Sequence, residues 1–91
     1  MDFEYDLQKS ESNKIKHGID FEEAKRLWND PRAMEVPSDY HGEDRFLIIG
    51  AIDGVGWTAI VTYRMDVIRI ISVRRWRDNE AEAYDNRRRT G

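Results

Sequence analysis

Ninety-one residues with 36% charged and 40% hydrophobic side chains are too apolar for a disordered chain and too polar for a membrane one. That length supports one small core, so residues 1–91 are expected to form a single domain. The absence of cysteine excludes disulfides and thiol chemistry, no secretory signal is visible, so the cytoplasm is the expected setting, and a net charge of −3 argues against a general nucleic-acid binder.

Phe3 and Tyr5 alternate with acids and predict a short edge strand. A polar helix follows from an Asp6 N-cap to His17, closed by Gly18, with Leu7 and Ile15 as its thin apolar side. Asp20 and Glu23 form a capping box for a second helix. Its Phe21, Ala24, Leu27 and Trp28 make a buried stripe, and Asn29-Asp30-Pro31 stops it. Residues 33–36 read as a strand and 38–44 as a polar loop. Residues 45–52 and 57–64 are rich in β-branched and aromatic side chains, and Asp53-Gly54 between them suits a type I′ hairpin turn. A third long strand, 67–76, is entered through Met65-Asp66. Asp78 then caps a last helix with Ala81, Tyr84 and Arg88 on one side and Arg87-Arg88-Arg89 at its end. Two helices, an antiparallel sheet and a C-terminal helix make an α+β domain.

Charge is unevenly spread along this plan. Residues 1–44 hold twelve acids and six bases, whereas residues 45–91 hold six acids and nine bases, all arginine. Arginine alone points to bidentate contact with phosphate or carboxylate. Two-residue turns set the register, pairing Arg45 with Thr62, Thr62 with Arg69, and Ala59 with Ser72. One sheet face then carries Phe46, Ile48, Trp57, Ala59, Val61, Tyr63, Ile68, Ile70 and Trp76, the expected core. The other carries Arg45, Thr62, Arg64, Arg69 and Arg75 together with Leu47, Ile49, Ile60, Ile71 and Val73. Arg45, Thr62 and Arg69 form one row, with Arg64 two residues further along. Guanidiniums gathered around one hydroxyl repel one another without an anion, so this row is a candidate phosphate site. Ordinary salt bridges to Asp44, Asp66 or an acid of the first helix are the alternative.

Asn13, Lys14 and His17 share a polar side of the first helix. Histidine exchanges protons near neutral pH and lysine steadies developing negative charge. Cations beside a terminal glycine are equally a good helix ending. No metal site stands out, and His41 beside Asp39, Glu43 and Asp44 reads as a polar loop. Gly50, Gly54 and Gly56 sit in a hairpin and not in a phosphate-cradling loop. Trp28, Trp57 and Phe46 read as core, while Trp76, beside Arg74, Arg75 and Arg77, also suits base stacking.

The run from Asn13 to Ala24, Asn-Lys-Ile-Lys-His-Gly-Ile-Asp-Phe-Glu-Glu-Ala, resembles the N-terminal signature of the BrnT toxins. The run Arg69-Ile70-Ile71-Ser72-Val73-Arg74-Arg75, followed by Glu80 and Tyr84, resembles their C-terminal signature. Asp30-Pro31 and Glu43-Asp44-Arg45 fall where that pattern expects them. The resemblance implies a RelE-like fold and the toxin half of a type II toxin–antitoxin module, an endoribonuclease that halts translation. It also implies a DNA-binding antitoxin, BrnA, that neutralises the toxin and with it represses their operon, so that operator DNA is reached only through the antitoxin. By position it points to Lys14, His17, Arg45, Arg69, Ser72, Arg74, Glu80 and Tyr84. Trp76 stands where the family commonly has a small residue, and the turn at 63–66 is shorter than usual.

RNA carries its own nucleophile, the 2′-hydroxyl, so a ribonuclease needs only to orient it, move two protons and stabilise charge on the phosphate. No cofactor or metal is expected. Arg64 and Arg69 are the expected phosphate contacts, with Arg74 a third and Arg45 and Thr62 beside them. His17 or Lys14 would transfer protons, with Tyr63 or Tyr84 in reserve. The competing classes are a non-catalytic nucleic-acid-binding or protein-binding module.

Overall fold

The computed structural model describes residues 2–38 and 44–90, with side chains as far as residue 86. Strand β1 (Asp2–Glu4) leads into helix α1 (Leu7–His17), then helix α2 (Phe21–Ala24), which tightens into a 3-10 turn over Lys25–Asn29. Strands β2 (Met34–Pro37), β3 (Phe46–Ile52), β4 (Val55–Arg64) and β5 (Val67–Arg75) follow, and helix α3 (Asp78–Thr90) ends the fold. The α+β class is as the sequence predicts. Asp39, His41 and Glu43 lie outside the described residues, as do the side chains of Arg87, Arg88 and Arg89.

Local signals decide most boundaries. The Asp6 carboxylate accepts the Gln8 and Lys9 N–H groups at 2.8 and 3.2 Å, satisfying donors that a helix start leaves unpaired. Gly18 closes α1 at φ 83°, its N–H reaching the Lys14 carbonyl at 2.9 Å. The capping box closes in both directions, Glu23 N–H to Asp20 at 2.7 Å and Asp20 N–H to Glu23 at 3.0 Å. Asp53 and Gly54 both take positive φ, 51° and 79°, as a type I′ turn requires. At α3 the cap shifts by one residue. The Arg77 carbonyl accepts the Ala81 N–H, and Glu80 reaches back to the Arg77 N–H, so Arg77 and not Asp78 holds the cap position.

The five strands form one sheet in the order β1-β5-β4-β3-β2. The expected all-antiparallel sheet is in fact mixed, because β1 runs parallel to β5 with Phe3 opposite Ile68. Parallel neighbours need a long crossover; here residues 5–66 intervene, so no local pattern announces the pairing. On one face, Ile19, Phe21, Ala24 and Leu27 pack against Ile48, Ala59, Val61, Ile68, Ile70 and Val73, with Trp28, Phe46 and Trp57 at the margin. Burying each large apolar side chain contributes about 1.5–3 kcal/mol. The opposite face is covered at one end by the start of α3. Thr58 donates to Glu80 at 2.9 Å there, and the Trp76 ring lies so close over Gly56 that a Cβ would stand 1.9 Å from it. Trp76 therefore leaves the core-face position its alternation suggests.

Two expectations about faces are overturned. Leu7 and Ile15 are 72% and 89% exposed, while Ser10 and Asn13 are the buried residues of α1. The helix docks through hydrogen bonds because its neighbour is free backbone. The Ser10 hydroxyl accepts the Phe21 N–H at 2.9 Å. The Asn13 amide donates to the Ile19 and Val73 carbonyls and accepts the Val73 N–H, standing in for a strand where β1 has ended. The second correction is a bulge. The turn at Met65-Asp66 gives Arg64 opposite Val67 and Thr62 opposite Arg69 as predicted, but Ile60 and not Ala59 pairs with Ser72. Ile71 is the extra residue. One inserted residue turns every later side chain over: Val73 enters the core beside Ala59, Ser72 and Arg74 take the opposite face, and Arg75 stacks 5.5 Å from the Trp57 ring.

Candidate functional site

The bulge builds a cleft on the face away from the main core. Its volume is about 490 Å³, and it is lined by Lys16, His17, Arg45, Ile60, Ile71, Ser72, Arg74 and Arg77. The Gly18 terminator ends α1 where Lys16 and His17 overhang the sheet. Arg45 arrives at the start of β3, next to Asp44 at φ 55°. Ile60 and the doubled Ile71-Ser72 form the floor. Five basic side chains thus line a cleft that, among the described residues, has no carboxylate in its lining, in a chain with 18 acids and net charge −3. The summed potential there favours an anion.

Arg74 does not float freely in this cleft. It grips Glu80 with two 2.8 Å hydrogen bonds, and the two side chains are only 16% and 6% exposed. Glu80 also accepts from Thr58 and from the Arg77 N–H. Burial pushes the Glu80 carboxyl up, yet the bonds from Arg74, Arg77 and Thr58 outweigh it and hold the group down at about 2. The pair fixes the guanidinium plane at the cleft wall. His17 is half-buried, and Lys16, Arg45 and Arg77 meet no carboxylate among the described residues.

The other sequence candidates go elsewhere. Thr62 pairs with Arg69 and Arg45 immediately precedes β3, but of the three only Arg45 lines the cleft. Arg69 leans toward Glu4 on the neighbouring β1, 3.8 Å away, and Arg64 stands exposed at the end of β4. Of the group expected around Thr62, Arg64 and Arg69 are thus not among the residues that line the cleft. Lys14 turns from the cleft to bind Glu23 at 2.8 Å. Tyr63 lies on the core face, its ring against Phe46 and its hydroxyl bonded to Glu35; burial and Glu35 raise its pKa. Tyr84 is buried, donating to Asp30 at 2.7 Å with its ring beside Trp76.

His17, Arg45 and Arg74 are thus brought together, and Lys16, Ser72 and Arg77 join them. Reading the residues alone missed Lys16, although it neighbours His17 before a helix-ending glycine. Ser72 had a signal only in the family resemblance, and Arg77 only in its place before a capped helix. Among the described residues, no three of His, Asp and Glu gather to hold a metal ion, and a lining of lysine, arginine and histidine is a poor ligand set for a hard divalent cation. A family model described as "Ribonuclease toxin, BrnT, of type II toxin-antitoxin system" matches residues 5–80. No curated protein matches the chain.

Proposed function

The chain belongs to the BrnT ribonuclease toxin family of type II toxin–antitoxin systems, and from that premise we propose that the cleft beneath the end of α1 holds the RNA backbone at the bond that is cut. The observation that carries this reading is the convergence of Lys16, His17, Arg45, Arg74 and Arg77 on one cleft whose lining, among the described residues, holds no carboxylate. A phosphodiester there meets Arg45, Arg77 and Lys16 directly, with Arg74 held in place by Glu80. As the ribose 2′-oxygen attacks phosphorus and the 5′-oxygen departs, these cations stabilise the added charge on the phosphoryl oxygens. His17 is the one cleft group suited to moving protons near neutral pH; it would take the 2′-hydroxyl proton or protonate the leaving oxygen. The Ser72 hydroxyl would orient the phosphate. The reaction so written uses no metal ion.

Cleavage of RNA in the cytoplasm, ending in arrested translation, is the corresponding cellular role. A type II toxin works against an antitoxin partner. Here we expect a DNA-binding antitoxin of the BrnA kind, so that operator DNA is reached through the partner and not through this acidic chain. No helix of the described residues is long and apolar enough to cross a membrane.

The test is cleavage of an RNA oligonucleotide by purified protein in the presence of a chelator. Cleavage should persist and leave a cyclic phosphate end. His17→Ala should lower kcat by about 10²–10⁴-fold. Full-rate cleavage by a folded His17→Ala, Arg45→Ala double variant would overturn the assignment.

A further inference from the structure

Four lysines occur in the chain, and the fold divides them in two. Lys14 is bound to Glu23 at 2.8 Å and Lys25 to Glu22 at 2.9 Å. Lys9 and Lys16 meet no carboxylate among the described residues. Both line a second recess, of about 190 Å³, with Ser12, Asn13, Phe21 and part of the cleft wall. This recess shares Lys16, His17, Ile71 and Ser72 with the cleft, so the two are halves of one trough running along α1. Among the described residues, no acidic side chain lines either half.

The spacing makes the second half more than an extension of the first. Lys9, Ser12 and Lys16 stand at i, i+3 and i+7 and so share one face of the helix. Seven residues of α-helix rise about 10 Å, which lets the two lysines serve successive phosphates of one strand. Asn13 is committed to Val73 and Ile19, which leaves the Lys9 ammonium and the Ser12 hydroxyl as the polar groups open to a ligand at that end. Both are exposed.

We propose that this recess is a second binding subsite, taking the phosphate and ribose of a neighbouring nucleotide in single-stranded RNA, with Lys9 on the phosphate and Ser12 as its hydrogen-bond partner. It rests on the reading of the cleft as the cleavage site and adds a direction, since the strand then runs along α1 from Lys9 toward Arg77. Lys16, which lines both halves, bridges consecutive phosphates.

The test measures binding of a single-stranded oligonucleotide made non-cleavable by 2′-O-methylation, across a range of salt. Each lost phosphate contact should flatten the slope of log K against log salt by about 0.7. Lys9→Gln should show that loss and Lys9→Arg should restore it. The advantage of a longer RNA over a dinucleotide in kcat/KM should shrink in Lys9→Gln. An unchanged slope and length preference in Lys9→Gln, with cleavage still abolished by Arg45→Ala, would overturn the subsite and leave the cleavage site standing. Wild-type protein that neither binds nor cuts RNA would overturn both.

Discussion

Arg74 and Glu80 face each other through two parallel 2.8 Å hydrogen bonds, tying the first turn of α3 to the last residues of β5. Because this carboxylate sits at about 2 when folded and near its ordinary 4.5 when unfolded, the stability it contributes is complete above about pH 4.5 and disappears as pH falls toward 2. The linkage is on the order of 3 kcal/mol. Urea midpoints recorded between about pH 5 and 2 should fall steeply for the wild type and more shallowly for Glu80→Gln. At neutral pH that variant should already be less stable by about 3–5 kcal/mol, since Arg74 loses its buried partner.

Asn13 connects residues 60 positions apart by bonding both backbone groups of Val73. Asn13→Leu strands that N–H and carbonyl as well as the Ile19 carbonyl, and each unsatisfied group costs about 1–3 kcal/mol. We expect a lower thermal midpoint and faster exchange of the Val73 amide. Loss of cleavage should accompany this, because the bulge beside Val73 shapes the cleft floor. A Val73 amide as protected as in the wild type would contradict the role given to Asn13.

Gly56 is required by proximity and not by its backbone angles. A Cβ at that position stands 1.9–2.3 Å from three Trp76 ring atoms, so Gly56→Ala has to displace the indole from Tyr84. Overpacking of this kind costs about 1–3 kcal/mol. Tryptophan fluorescence should shift to longer wavelength, and Gly54→Ala, where nothing lies within 4 Å but φ is 79°, should leave the fluorescence in place.

Arg69 pairs with Thr62 and Arg45 immediately precedes β3, yet only Arg45 lines the cleft. Arg45→Ala should reduce kcat/KM for RNA by about 10²–10³-fold, the loss typical of one charge-stabilising contact. Arg69→Ala should cost less than a tenth of that factor. Equal losses from the two would mean the phosphate lies over the Arg45–Thr62–Arg69 row and not beneath α1.

Helix caps, the Asp53-Gly54 turn and the apolar stripe of α2 are readable from residues within four positions of one another, because the groups that stabilise them are local. The same holds for the Met65-Asp66 turn, and so for the Thr62–Arg69 pairing beside it. The family likeness was also legible, resting on ordered blocks along the chain. His17, Arg45 and Arg74 could be named in advance as functional candidates on those grounds.

Their meeting could not. It depends on the extra residue Ile71, and nothing in residues 67–76 marks a bulge. The signal lies in Asn13, whose amide can satisfy Val73 only after α1 has docked beside the strand. Likewise Leu7 and Ile15 advertise an apolar side that the fold leaves in water, since α1 packs on open backbone and needs hydrogen bonds there. A one-residue slip inverts every face beyond it. Side-chain alternation therefore held as far as residue 70, and from Ile71 onward a contact made 60 residues earlier in the chain decided which arginine entered the cleft.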